Sequence, residues 1–562
     1  MRVFALLAMG LMLAGCGTFG GPALPSAAPS GAAVQAPADA GPTILFSSVK
    51  IERMSALPEA SPVDDPRLLG AAEPYLNRPV SLEELRELGT EMEGIFRDAG
   101  YPYVRVVLPP QEIVGGSVRF QVIEGWIEGV SVLGDSPIAK AQTEARLAEL
   151  NGKGPLSLDD VESTVALLNR VPGLKSRVSI ARGGQGPGAM RLIADSERAD
   201  PRVLLNVQNF GSRSLGREGT TLFAHLPGWA PYGDELELAL FNTWQPDEQI
   251  SGQLSYLRGL TADGLTAKIW GSYAEAEPGG TVAILGPTSE SLTGGVEFEQ
   301  PLYLTRQDTV SAYAGFEFAD LNGELFQGAV PLSEDKTRVA YAGLEGEASW
   351  LDWTYTGRVE VRKGLDLFDA SRAGDNNLAR TDADPQAWLG RGEMTATSPS
   401  FWGLEAEVEI SGQLANKPLM AIEEFSFGNY TVGRGYDPGA AAGDSAIAGA
   451  LTLSGFEQEF WGGRLHVEPM AFYDVGRYWN EDSTGVEART LASAGGGLRL
   501  TLNKMVRADV TYAHPLDQPL GIGESRPGGR VLFSITADGM ALWDELVSLF
   551  DSLGEAHAAS TL

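Results

Sequence analysis

The residue in this chain most suited to chemistry is an arginine held between two glycines. It lies in Thr431-Val432-Gly433-Arg434-Gly435-Tyr436-Asp437, shortly after Glu424-Phe425-Ser426-Phe427-Gly428, in a long connection between strand-like segments. Gly433 and Gly435 let the backbone turn tightly at low steric cost, and the stretch from about 414 to 446 is long enough to fold back into an interior. A guanidinium taken out of bulk water costs several kcal/mol unless a carboxylate meets it. Forty residues on, Phe472-Tyr473-Asp474-Val475-Gly476 offers one on an alternating segment. Arginine grips a carboxylate through two parallel hydrogen bonds, which lysine cannot do, so Asp474 is the candidate partner of Arg434. The chemistry on offer is charge pairing, with no bond made or broken.

No catalytic set accompanies the pair. The histidines, His225, His466, His514 and His557, are scattered and lack an adjacent serine motif. His466-Val467-Glu468 reads as strand alternation. No P-loop occurs, so no catalytic residue, cofactor or metal ligand is assigned. A formal charge of −32 argues against nucleic acid as a partner and fits a solvated acidic surface. At 562 residues the chain is expected to hold about three units. Apolar residues make up 43%, with no internal run of 18, which argues against helical membrane spans. A membrane β-barrel stays open, because its alternating strands average to ordinary hydropathy.

The N-terminus reads as a secretory signal, with Met1-Arg2 before an apolar core from Val3 to Leu13. It ends in Leu13-Ala14-Gly15-Cys16, which resembles the lipobox of bacterial lipoproteins. That resemblance implies acylation of Cys16 as the first mature residue, and Gly17 in place of Asp fits outer-membrane sorting. Cys16 is the only cysteine, so no internal disulfide or thiolate metal site can form. Residues 1–16 are thus a lipoprotein-type signal peptide, and 17–42, rich in Ala, Pro and Gly, a disordered tether.

Two consecutive β-α-α-β-β units follow, at 43–126 and 127–200. In the first, one strand runs from Ile44 through Ile51, a short helix covers Leu68 to Leu76, and Ser81 and Glu84 have capping-box spacing ahead of a longer helix. Leu85, Leu88, Met92, Ile95 and Phe96 form its apolar stripe, and strands follow at Val104–Leu108 and Val118–Ile123. The second unit reads as strand Ile127–Val132, helices Ile138–Leu150 and Ser157–Leu168, and strands Arg177–Ala181 and Met190–Ala194.

From Arg202 the apolar period becomes two, as in Val203-Leu205-Val207, Leu236-Leu238-Leu240 and Val359-Val361. Roughly sixteen segments of about ten residues fall between 202 and 536, with aromatics such as Trp270, Trp350, Trp402 and Tyr512 near strand ends. No regular motif supports a propeller or solenoid. The fold expected is two α+β domains followed by a transmembrane barrel of about sixteen antiparallel strands at 201–537.

Gly100-Tyr101-Pro102-Tyr103-Val104-Arg105, Leu108-Pro109-Pro110-Gln111, Gly116, Ile123-Glu124-Gly125 and Leu168-Asn169-Arg170-Val171-Pro172-Gly173 stand in the order and spacing of a known family. They resemble the two polypeptide-transport-associated (POTRA) domains of two-partner secretion transporters, the haemolysin secretion/activation group, and the resemblance extends from about residue 44 to 536. It implies an inward loop between the eleventh and twelfth strands, with Val432, Gly433, Arg434, Gly435 and Tyr436 as its tip. Asp474, with Phe472 and Gly476 beside it on the thirteenth strand, becomes the wall partner. The family pattern runs Val-Arg-Gly-Tyr, and here Gly433 is inserted.

The resemblance further implies a monomer in the outer-membrane lipid of a bacterium, with its POTRA domains in the periplasm. Without ATP, it would export an unfolded exoprotein, a large β-helical adhesin or haemolysin. The alternative from the same superfamily is an outer-membrane insertion and assembly factor; these commonly carry three or five POTRA units, and two favours secretion. Family members often begin with a pore-plugging helix, which residues 17–42 are poorly suited to form.

Val531-Leu532-Phe533 resembles the terminal strand of that family, yet the chain continues. Residues 538–562 read as an amphipathic helix and tail, with Leu542, Leu546, Leu549, Phe550 and Leu553 opposite Asp544, Glu545 and Asp551. The helix is expected to pack on the periplasmic side, on the barrel rim or a POTRA unit, the alternative being a replacement plug or a partner-docking helix. Deleting 538–562 should therefore leave pore conductance unchanged in planar bilayers; a rise would mark the segment as a plug.

Overall fold

The computed structural model describes residues 43–545 except 55–62, 64, 135, 229, 231–232, 246–247, 306, 482–487, 520–527 and 544. The signal segment with Cys16, the tether 17–42, and Leu546, Leu549, Phe550 and Leu553 of the C-terminal segment lie outside the described residues. Residues 539–543 and 545 are helical, and the Asp538 carboxylate accepts from the backbone N–H groups of Met540 and Ala541, capping that start.

In the first unit the central strand Ser117–Ile123 pairs in parallel with Ser48–Met54 and antiparallel with Arg105–Val107. The helix Leu82–Asp98 begins in a full capping box: Ser81 accepts from the Glu84 N–H, and the Glu84 carboxylate accepts from the Ser81 N–H. Leu85, Leu88, Met92 and Phe96 are buried against Val118, Phe120 and Val122. The expected single strand through Ile51 is divided. Thr43–Phe46 pairs instead with Arg78–Ser81, and Ser47 breaks the run by donating its N–H to Gly116 O. A Cβ on Gly116 would overlap this crossing, and its φ of +76° suits glycine.

The second unit repeats the plan. Ala189–Arg198 pairs in parallel with Trp126–Leu133 and antiparallel with Leu174–Arg182, beneath the helices Pro137–Leu147 and Leu158–Asn169. Each three-stranded sheet leaves its two outer strands with a free edge among the described residues.

Sixteen antiparallel strands then close a barrel, from Arg202–Gln208 to Arg530–Asp538, with a short extra strand, Gln458–Phe460, in one turn. Closure joins the last strand to the first through Ser534↔Gln208 to Asp538↔Leu204, a short register. Strict alternation places Ile269, Leu254 and Ile447 outward, at 60%, 51% and 57% exposure. Glu297, Glu345, Arg358 and Arg362, on the sixth, eighth and ninth strands, face inward. An apolar exterior around a charged interior suits lipid outside and water within.

The second unit is seated on the turns of the barrel's near end. Arg146 and Gln142 donate to Ala262 O and Ala230 O, and Arg198 donates to Pro227 O. Arg170 reaches the lumen mouth, where it pairs with Glu299 and lies 3.3 Å from the Ser311 hydroxyl. With the periplasmic end so defined, the connections 365–387 and 416–444 open on the opposite face.

Leu254→Arg, outward on the fourth strand, is expected to cost about 2–4 kcal/mol. Gln253→Arg, its inward neighbour, should cost little. Urea unfolding in lipid vesicles tests the pair, and equal losses would contradict the assignment of faces.

Candidate functional site

The connection from the eleventh strand, Leu404–Ala415, to the twelfth, Ser445–Gly455, folds back into the barrel. Its stem is a small hairpin in which Phe425–Phe427 pairs with Ala441–Gly443. Its tip turns tightly, with the Tyr436 N–H donating to Gly433 O at 2.9 Å. The inserted Gly433 takes φ +116°, a conformation open to glycine, so the tip accommodates the extra residue and Arg434 still reaches the wall. Gly435 permits the closest approach: a Cβ there would lie 2.8 Å from Ser493 Cβ and from Pro515 N.

Asp474, on the thirteenth strand Leu465–Trp479, is 1% exposed. Arg434 Nη2 lies 2.6 Å and Nε 3.1 Å from its Oδ1. The Arg434 backbone N–H donates to Oδ2 at 2.7 Å, and the Ser493 hydroxyl donates to the same oxygen at 3.1 Å. Both carboxylate oxygens are thus satisfied, as an ionised group taken out of water requires. Nη1 donates to Thr452 Oγ1 at 3.1 Å, and the guanidinium carbon sits 3.8 Å from the centroid of the Phe472 ring, a cation–π contact.

Phe472, Asp474 and Gly476 share the lumen face because a strand alternates every second residue. Gly476 has its own reason to be glycine: a Cβ there would collide with the Phe427 ring of the loop stem. Tyr436 is 2% exposed, its hydroxyl 2.8 Å from Ala492 O and accepting the Asp517 N–H at 3.1 Å. Val432 is buried against Phe427 and Tyr436. All the residues singled out in the tip and on the wall therefore lie in one cluster, with Cys16 outside the described residues.

Sequence reasoning did not reach several partners. Asp437, next to the tip, pairs with Arg530 on the last strand at 2.6 Å and with Arg217 beyond the first at 3.4 Å. Tyr430 and Asn429 add hydrogen bonds to Gln208 and Phe210 O, so the loop touches both sides of the closure seam. At the outer mouth Asp444, 0% exposed, holds Arg380 Nη2 at 3.0 Å and accepts the N–H groups of Leu419 and Glu481. Burial works against the Arg380 charge, but hydrogen bonds to Asp444 and Asp382 outweigh it and keep its pKa above the ordinary arginine value. Arg217, Arg380, Asp437 and Asp444 lie in connections, where no period-two alternation marks them.

Below the tip is a lumen cavity of about 780 Å³, bordered by Arg170, Glu345, Arg358 and Glu409 and roofed by Tyr430 and Val432. Nearer the periplasm, His225, Glu235 and Glu237 fall within metal-binding reach of one another. The two ring nitrogens face different carboxylates, and Ser255 and Lys268 already engage Glu237, so these groups partner one another within the wall.

A closed lipid-facing barrel of sixteen strands, two periplasmic α/β units and a loop salt-bridged inside the lumen define an outer-membrane transporter of the POTRA–barrel class. Residues 192–500 match the model of the haemolysin secretion/activation protein family ShlB/FhaC/HecB, and 49–125 match the ShlB-type POTRA domain. The chain belongs to that family, and with it to the two-partner secretion transporters that carry exoproteins across the outer membrane. It is 24% identical over 468 residues to the heme/hemopexin transporter protein HuxB of Haemophilus influenzae, covering 79% of each chain. It is also 27% identical over 146 residues to the outer membrane transporter CdiB of Dickeya dadantii, 26% of this chain and 25% of that one. Its fold is that of CdiB from Escherichia coli, with TM-score 0.71 and 17% identity over 89% of this chain and 91% of the other. BamA of Haemophilus ducreyi lacking POTRA domains 1–3 gives a TM-score of 0.50 at 13% identity over 88% of this chain and all of that one.

Arg434→Ala would leave Asp474 buried without its charge partner, at an expected cost of about 3–5 kcal/mol. Arg434→Ala combined with Asp474→Ala should cost less than the sum of the single losses, because the double variant strands no charge. Urea denaturation in detergent closes this cycle; additive losses would mean that the two groups do not interact.

Proposed function

We propose that the Arg434–Asp474 pair secures the gate of this transporter. Three functions meet in the loop: it narrows the lumen, it ties the tip to the thirteenth and fourteenth strands, and through Asp437 it reaches Arg530 and Arg217 at the seam. The observation that carries the reading is the grip on one buried carboxylate by both the side chain and the backbone of Arg434. A surface turn would gain nothing from such a grip, whereas a loop that must stay inside yet be displaced by cargo needs a strong and local fastening.

The exoprotein enters unfolded. Its extended backbone first pairs with the free sheet edges of the POTRA units by strand addition. The second unit, seated on the barrel turns with Arg170 at the mouth, hands it into the lumen. Folding outside then opposes back-sliding, so no nucleotide is consumed. The cargo is a large β-helical adhesin or haemolysin, the transporter acts as a monomer, and Cys16 anchors the tether to the inner leaflet by its acyl chains. The chain has no enzymatic role; its scattered histidines and the absence of a nucleophile motif support this.

Arg434→Ala is expected to abolish release of the partner exoprotein into the medium while the barrel still assembles, read as heat-dependent gel mobility. Undiminished secretion by an assembled variant would remove the gating role.

A further inference from the structure

The inward loop is fastened a second time, at its stem, with the charges reversed. Glu423 lies immediately before the hairpin and is 9% exposed. Arg362, on the ninth strand, donates to it from Nε at 3.1 Å and from Nη2 at 2.9 Å. Arg391, on the tenth strand, donates to its Oε2 at 2.8 Å and to its backbone O at 3.1 Å. Gln413, on the eleventh, donates to the same backbone O at 2.8 Å. Three successive strands thus converge on one loop residue. Arg362 is itself 6% exposed, faces Glu317 at 2.9 Å and Glu360 at 3.1 Å, and sits 5.3 Å from the Tyr341 ring centroid.

At the tip the loop gives the cation and the wall the carboxylate; at the stem the loop gives the carboxylate and the wall the cations. The two fastenings share no residue. They bind different strands, the ninth to eleventh at the stem and the twelfth to fourteenth at the tip. No hydrogen bond of one involves a side chain or backbone group of the other.

We infer that Glu423 is a positioning residue that keeps the loop inside the barrel when the Arg434–Asp474 pair opens. The tip can then swing from a retained stem as cargo passes, and the whole loop leaves only when both fastenings fail. This deepens the gating reading and rests on it, but the test needs no cargo and no secretion.

The reporter is Val432→Cys, a buried tip site whose thiol a membrane-impermeant maleimide reaches only while the tip is away from the wall, briefly if the stem holds and lastingly once it lets go; the chain without the reporter gives the labelling of the natural Cys16. Intact cells carry the reporter alone, with Arg434→Ala, or with Arg434→Ala and Glu423→Gln, an isosteric change that removes only the charge. The reporter alone should stay unlabelled, Arg434→Ala should label slowly, and the double variant should label at least tenfold faster than Arg434→Ala. Equal rates in the single and double variants, fast or slow, would overturn the inference. Heat-dependent gel mobility confirms that each barrel is closed. Should the double variant fail to close, Arg391→Gln replaces Glu423→Gln and attacks the same contact from the wall, with the same two outcomes.

Discussion

Asp474 is the group on which the arrangement turns. A carboxylate with 1% exposure on a barrel wall is tolerable only if the interior supplies its counter-charge and its hydrogen bonds. The wall alone supplies one, from Ser493; the loop supplies the rest, from the Arg434 side chain and backbone. The loop therefore completes the wall, and the wall gives the loop its place. Without the closed sheet there would be no enclosed site in which this pairing outweighs solvation.

The same logic explains residues that carry no charge. Gly476 is empty where Phe427 must lie, and Gly435 is empty where the backbone must meet Ser493 and Pro515. Phe472 offers its ring face to the guanidinium and excludes water from one side of it. Tyr436, nearly fully buried, places its hydroxyl against the fourteenth strand and the connection after the fifteenth. A loop of about thirty residues is thus held in one conformation by a handful of short-range contacts to strands far apart in sequence, which suits an element that must be both secure and releasable.

Much of the fold was legible because period-two alternation and helix caps are local properties. The Ser81–Glu84 box marked the helix that begins at Leu82, and Phe472-Asp474-Gly476 fell on one face because strands permit no other reading. The break at Ser47 was not legible. It depends on the crossing chain at Gly116, more than sixty residues away, and apolar pattern does not record that contact. The Glu423 cluster was missed for a related reason. Arg362 and Arg391 lie far apart in the chain, and only the barrel's register places them side by side, whereas Arg434 drew notice through its own flanking glycines. Local sequence reveals a tip that is locally unusual and leaves hidden a stem made of ordinary residues in an unusual setting.

The separation of the Arg434 guanidinium from the Asp474 carboxylate, measured by electron cryomicroscopy on the full chain in lipid nanodiscs without cargo, tests the account most directly. The account requires two hydrogen-bonded contacts of roughly 3 Å inside the lumen. A map with the tip outside the barrel and the guanidinium in bulk water would contradict it.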